Sequence, residues 1–425
     1  MRRIGGDVPD AGHSAKVESA GQDGGPVAAL CGSACRHMSL MPAGGELYFG
    51  FGEISDTKGL GELWSALEPA ADASAFTAWA WIGNWIRMLP PGRTPYLALI
   101  QDRNAIMALG VLWFSPCRRR LLRVARLHLH ACGLPELDSL YIECNGLLAR
   151  RGAEAAAAAA FLRGLAEHPD VPRWDELVLP GIDAADNIRS QAVQLGLTIE
   201  ERVMPSHYVD LASLRGKGET YLTALVSKTR RKIKAATREY ESRYGALVCD
   251  LARDAVEAAA FLTELQSLHQ SNWNAKGQPG AFANPQFVEF HRSFLAAQHA
   301  RGGAQVARVR AGDQVVGLMY FLIRDGVVAF YQSGYKFGLL ERHEIPGLVA
   351  IATAIERLSD SGYDRFEFLA GKQQYKSELG LGCRERSWIV LQRQRLGLRI
   401  ERAVRHLRRR FRARLGGQPA AAASL

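Results

Sequence analysis

The sequence is poor in the features that assign a protein quickly. Its seven cysteines, from Cys31 to Cys383, are scattered, with no CxxC and no paired Cys/His spacing that would build a zinc site. They read as reduced thiols of a cytoplasmic protein. His128 and His130 alternate in RLHLH and would share a strand face, but no third ligand is in range, so no metal is expected. No window approaches the apolar length that crosses a bilayer, and the stretch after Arg2 and Arg3, GGDVPDAGHSAKVESAGQDGGP, lacks the apolar centre of a signal peptide. Neither secretion nor integration into a membrane is expected.

What is present is a chain of 425 residues, 48% hydrophobic, long enough for two or three domains. The net charge of +10 and pI near 9.4 favour an anionic partner, whether a nucleotide cofactor, RNA or an anionic membrane, without choosing among them. Residues 1–44 carry few large apolar groups and are expected to be a disordered leader. ELYFGFGEI then reads as a strand, and Ala75 to Leu89 as a helix in which Trp81 and Trp85 share one face.

A hairpin follows, YLALI and IMALGVLWF around Asp102, Arg103 and Asn104, and it returns as QVARV and VVGLMYFLI around Ala311, Gly312 and Asp313. The two align without a gap from Tyr96/Gln305 to Trp113/Leu322. The repeat goes on: helix AEAAAAAAFLRGLAEH and strand DELVLPG in one half, helix GLVAIATAIERLSDSG and strand DRFEFLAG in the other, then a polar helical stretch, a shared LGL and a closing strand, HYVDL or SWIVLQR. The chain is therefore two copies of one α/β module, 45–210 and 246–395, at a spacing that suits a duplicated domain. Between them, 211–245 forms a basic helical arm, TYLTALVSKTRRKIKAATREYESRYG, whose Leu222, Leu225, Val226 and Ile233 can dock one face. Its cations, Arg231 among them, are either a solvated face or a phosphate- and substrate-binding arm. The tail, 396–425, is a basic amphipathic helix with Ile400, Val404, Leu407, Phe411 and Leu415 in one stripe; packing, an anionic membrane and RNA are all open to it.

The residue order in each copy, with LHQSNWNAKGQPGAF, FYQSGYKFG, IPGLVA and FLAGKQQYKSELG in the second and YIECNGLLA in the first, resembles the CelD-like branch of the GNAT acyltransferase superfamily. The resemblance covers about 60 to 395 and implies tandem GNAT modules, a mixed sheet flanked by helices, and an N-acyltransferase linked with exopolysaccharide or envelope biosynthesis. It also implies kinship with Fem-type aminoacyltransferases, which use aminoacyl-tRNA. Module two, which alone has the Pro-Gly helix start and the Tyr-Lys pair, is expected to hold the catalytic site.

Pro346 suits the first turn of a helix, where the amides of Gly347, Leu348 and Val349 point outward as an anion seat. By resemblance this is where acyl-CoA, acetyl-CoA above all, would place its pyrophosphate, although the family's QxxGxG/A loop is missing from ERHEIPG. A plain helix start with no ligand is the alternative. In DRFEFLAG, Phe366 and Phe368 share one face, and Glu367 on the other is either the acceptor of an amine proton or the partner of Arg365 or Arg384. Gly371 ends the strand and KQQYKSEL restarts as a helix, with Tyr375 the candidate acid and Lys376 the candidate cation beside an oxyanion or donor phosphate. Fem-type relatives carry Phe-Lys at the similar place, which is what Lys376 inherits. Trp273, Asn274, Tyr331, Gln332 and Tyr335 offer aromatic platforms and amides for a sugar-type acceptor, or aromatic packing between domains. A tRNA-dependent transfer is the rival enzyme reading, and a non-catalytic scaffold of an exopolysaccharide complex the rival from another class.

Overall fold

A computed structural model describes residues 34–414 apart from 120, 121, 141 and 184. Its strands in chain order are β1 (Cys35–Gly44), β2 (Leu47–Ile54), β3 (Tyr96–Gln101), β4 (Ile106–Arg119), β5 (Leu122–Leu129), β6 (Leu148–Ala149), β7 (Glu176–Ile182), β8 (Thr198–Asp210), β9 (Leu247–Leu251), β10 (Ala304–Ala311), β11 (Gln314–Arg324), β12 (Val327–Tyr335), β13 (Arg365–Ala370) and β14 (Gly382–Gln392). They form one continuous sheet in the order β1-β2-β3-β4-β5-β7-β14-β8-β13-β12-β11-β10-β9, with β6 paired to β4.

The repeat seen along the chain is visible in this order. In each half the hairpin and third strand are antiparallel, β3-β4-β5 and β10-β11-β12, and a helix crossover then brings in a parallel strand, β7 beside β5 and β13 beside β12. The crossover helices are Glu154–Glu167 and Pro346–Asp360. Both parallel pairs are short, Arg126–His128 against Glu176–Val178 and Val327–Ala329 against Arg365–Glu367, so in each module the two strands part beyond that point and leave a cleft at the helix start.

The closing strands depart from the expected boundaries. β8, which ends the first copy in sequence, pairs with β13 of the second, and β14, which ends the second, pairs with β7 of the first. β8 and β14 also pair with each other from Gly382↔Tyr208 to Gln392↔Thr198, so the modules are joined by an exchanged central seam. The leader is corrected as well. Residues 1–33 lie outside the described residues, but 35–44 form β1, antiparallel to β2. Too few large apolar residues lie there to build a core alone, yet pairing along β2 satisfies their backbone and adds buried Cys35 and Ala43 to cores that already exist.

Alternation along β11 explains the two layers over module two. Leu318, Tyr320 and Leu322 point into a core shared with module one, while Met319, Phe321 and Ile323 point under the Pro346–Asp360 helix. The shared core is aromatic: Trp81 meets Phe290 and Phe294 with ring centroids 4.6 and 5.7 Å apart, and Asn84 Nδ2 donates to Phe290 O at 3.1 Å. Trp81 and Trp85 are both buried in it, as their spacing predicts. In the arm, Leu225 and Ile233 are buried, but Val226 is exposed, because the chain turns there between the helices Tyr221–Ala224 and Ser227–Tyr244.

Candidate functional site

The site is built at the end of β13. Phe366 and Phe368 go into the core under the Pro346–Asp360 helix and Glu367 to the opposite face. Regular pairing with β8 then breaks: Glu367 faces Tyr208 and Ala370 faces Ser206, so Phe368 and Leu369 together oppose His207. This is a β-bulge, with Leu369 in a left-handed conformation at φ 61°. Gly371 follows at φ 153°, where a side chain would collide with Gln373 and come within 2.9 Å of Lys376 Nζ. The glycine lets the chain fold back, and the short helix Gln374–Leu379 returns Lys376 to the strand end. Its ammonium donates to Ala370 O at 2.8 Å and Leu369 O at 3.2 Å, the carbonyls turned outward by the bulge.

Lys376 is only 6% exposed, and burial lowers its pKa to about 8; nearby Arg386 acts in the same direction and Glu143 against it. Glu143 is supplied by module one. Its Oε2 accepts from the Ala370 amide at 2.6 Å, and burial raises its pKa against the pull of that bond, Arg386 and Lys376. His207, on β8 opposite the bulge, is half-buried; burial first and then the Lys376 charge lower its pKa, which keeps it neutral near neutral pH. Arg386 is fully buried, with Ser206 Oγ at 3.1 Å, Asp183 Oδ1 and Glu367 Oε2 each at 3.5 Å, and the Cys144 thiol in contact. Sequence reasoning missed Glu143, His207 and Arg386 as a group. YIECNG contained the acid, but nothing local in sequence tells that module one's loop reaches across to β13.

Glu367 is held by arginines. Arg384 Nη2 lies 2.9 Å from Oε1 and Arg365 Nη1 3.9 Å from it, and Arg386 takes Oε2. Burial raises its pKa, opposed by these three cations. Of the two roles open to it from sequence, the geometry is that of the arginine-paired carboxylate.

Glu367, Arg365, Arg384 and Cys144 also line a cavity of about 660 Å³ between the modules. Its other walls are the module-one cleft: Leu129 of β5, Leu179 and Ile182 of β7, and Ala158 of the crossover helix. Two buried polar atoms at its rim, Arg384 Nε and Asp183 Oδ1, have no hydrogen-bond partner. Lys376 does not line this cavity; Cys144, which does, touches Arg386, whose charge acts on Lys376.

On the other side of Lys376 is the module-two cleft. The Pro346–Asp360 helix starts with no side-chain cap and no acid in its first turn. Pro346, Leu348 and Val349 are buried and Gly347 is half-buried. A side chain at Gly347 would come 3.3 Å from the Tyr335 ring, and Tyr335 in turn lies close enough to Tyr375 to raise its own pKa further above what burial does. Tyr375 packs on Phe368, and burial raises its pKa too, so its hydroxyl stays protonated. The structure thus gathers Gly347, Tyr335, Tyr375 and Lys376 in one run of neighbours.

The remaining candidates are not in it. Tyr331 is the extra residue of a second bulge, since Tyr320 pairs with Gln332 and Phe321 with Phe330. Its ring enters the shared core against Phe76, Phe287 and His291, and its hydroxyl donates to Leu140 O. That is aromatic packing between the modules, and it corrects the expected acceptor platform. Gln332 is half-buried beside it. Trp273 is 39% exposed beside His269 and Lys276, and Asn274 accepts from Gln270 Nε2 at 2.8 Å, both at the outer end of their helix. Arg231 is exposed on the arm, whose Lys232 reaches Glu378 of the Lys376 helix at 3.9 Å. Among the described residues no cluster of His, Cys, Asp and Glu could hold a metal ion.

Residues 227–377 match a family model described as an acetyltransferase (GNAT) domain, a span that includes the helix start and ends just after Lys376. No curated protein matches the chain. Among solved structures, FemX is similar with a TM-score of 0.52 at 8% identity, covering 77% of this chain and 95% of its own. The C-terminal domain of a putative lysylphosphatidylglycerol synthetase from Agrobacterium fabrum gives 0.47 at 11% identity, with 80% and 93% covered. L-PGS from Bacillus licheniformis gives 0.45 at 10% identity, with 80% and 93% covered. The fold is α/β of the GNAT type, and the matched domain makes the protein an N-acyltransferase.

Proposed function

We propose that the protein moves an acyl group, acetyl from acetyl-CoA, to the amine of a sugar-type, exopolysaccharide or envelope precursor, in the manner of the CelD-like branch. The observation that carries this reading is the buried Lys376, pinned at a bulged strand end next to an uncapped helix start in the parted β12–β13 cleft. The helix-start amides suit the pyrophosphate of the carrier. The amine attacks the thioester carbonyl, C–N bond formation gives a tetrahedral oxyanion, and the Lys376 ammonium stabilises that charge. Collapse breaks the C–S bond, and the neutral Tyr375 hydroxyl is the proton source for the thiolate. His207 or Glu143 takes the proton of the amine, a role for which Glu367 is badly placed because both its oxygens face arginines. The 660 Å³ cavity, lined mostly by module one and closed by Arg365, Glu367 and Arg384 of module two, is the acceptor pocket.

One feature favours a second reading, an aminoacyl-tRNA donor. The arm presents exposed Lys228, Arg231 and Lys234 and is tied through Lys232 to the helix that carries Lys376. Calorimetric titration separates the two. Micromolar binding of acetyl-CoA, about 8 kcal/mol, that is lost in Pro346→Ala/Gly347→Asp is the expected result. Absence of acetyl-CoA binding by the intact protein, with salt-dependent binding of aminoacyl-tRNA, would replace the first reading by the second.

A further inference from the structure

The helix Leu396–Arg414 presents two opposite faces. Leu398 is 1% exposed and anchors one of them; from that same side Arg402 Nη1 reaches Gln392 Oε1 at 2.5 Å, Arg405 Nη1 reaches Glu200 Oε2 at 3.0 Å, and Glu401 lies 3.8 Å from Arg119. At 100° per residue the opposite face holds Leu396, Ile400, Val404 and Leu407, which are 70%, 56%, 38% and 64% exposed. A helix already docked through one face has no need of a second apolar stripe for folding. The same helix carries eight arginines against one glutamate.

We infer that this stripe is an interfacial anchor for an anionic lipid surface. An apolar stripe on a helix of strongly basic sequence, with exposed Arg399 beside it, suits the interface of an anionic bilayer, where the apolar residues enter and an arginine remains at the head groups. A protein partner would bury only four side chains of this stripe. Among the described residues no helix is long and apolar enough to cross a membrane, so the contact would lie in the membrane surface.

The test is co-sedimentation of the full chain with vesicles of phosphatidylcholine alone or with added phosphatidylglycerol, at low and high salt, alongside the exposed-face variant Ile400→Glu/Leu407→Glu. The expected result is binding to the anionic vesicles that is at least about tenfold stronger than to neutral ones, weakens at high salt, and is lost in the variant while its circular dichroism and melting are unchanged. Equal binding to both vesicle types, or none to either, would overturn the inference. So would a wild-type dimer in solution that the variant converts to monomer without any effect on vesicles, since the stripe would then serve self-association.

Discussion

The two modules share strand order and crossover geometry, yet their clefts differ in ways that assign them different tasks. In module two the crossover helix opens Ile345-Pro346-Gly347 with no acid in its first turn, and the strand beside it ends in a bulge, a glycine and a buried lysine. In module one the equivalent helix opens with Glu154, a charge of the wrong sign for a phosphate, and its cleft is the wide cavity that faces module two. Duplication preserved the scaffold while charge at one helix start and one strand end diverged. The exchanged seam of β8 and β14 makes the pair inseparable: β8 brings His207 to the site, and β14 brings Arg384 and Arg386.

The largest effect is expected at that seam. Arg386→Met takes one of three arginine partners from the buried Glu367 and the ion-pair partner from the half-exposed Asp183, and should cost about 3 kcal/mol of stability, read as a fall in denaturation midpoint. A change below about 1 kcal/mol would mean that the modules do not depend on the charge network between them. Next comes Lys376→Met, for which kcat should fall about 100- to 1000-fold with melting preserved. An equal loss from the module-one cavity variant Ala158→Leu would erase the division of labour; that variant should instead raise the acceptor KM severalfold and leave kcat near its original value.

The pH dependence follows from the same lysine. With its pKa lowered to about 8, Lys376 loses its charge as pH rises through that value, so kcat/KM should decline by about tenfold per unit above it. Lys376→Arg should flatten this limb, whatever its rate, since a guanidinium does not titrate there. Stability runs the other way. The folded state binds the proton less tightly than the unfolded chain, so the cost of the buried charge is fully present below about pH 8 and is relieved between there and the usual lysine range.

Much of this arrangement was legible in the sequence where the signal is local. The gapless match of YLALI…LWF with QVARV…FLI gave the duplicated hairpins, the Pro-Gly pair marked the helix start, and Gly371 marked the turn that returns Lys376. Long-range pairing was not legible. HYVDL and SWIVLQR have the same alternating pattern, and an alternating strand does not specify its neighbour, so the exchange of β8 and β14 had no local trace. Glu143, His207 and Arg386 converge on Lys376 from three distant segments for the same reason. Tyr331 looked like a platform because a bulge that turns an aromatic into the core leaves no mark on composition. Residues 35–44 looked disordered because their order is lent by β2.

The smallest effect sharpens the comparison from the acceptor side. Trp273 stands 39% exposed at the rim of module two, in contact with His269 and with the Lys276 ammonium 5.6 Å from its ring. Removing a half-exposed ring forfeits little burial and one exposed cation–π contact, so Trp273→Ala should change stability by no more than about 1 kcal/mol. Its kinetic effect is the informative part. If the acceptor lies in the inter-module cavity, Trp273→Ala should leave KM within about twofold while Ala158→Leu raises it. A reversal of that order, with Trp273→Ala raising the acceptor KM and Ala158→Leu silent, would move the acceptor to the outer end of the Ala255–Asn274 helix and leave module one as scaffold alone.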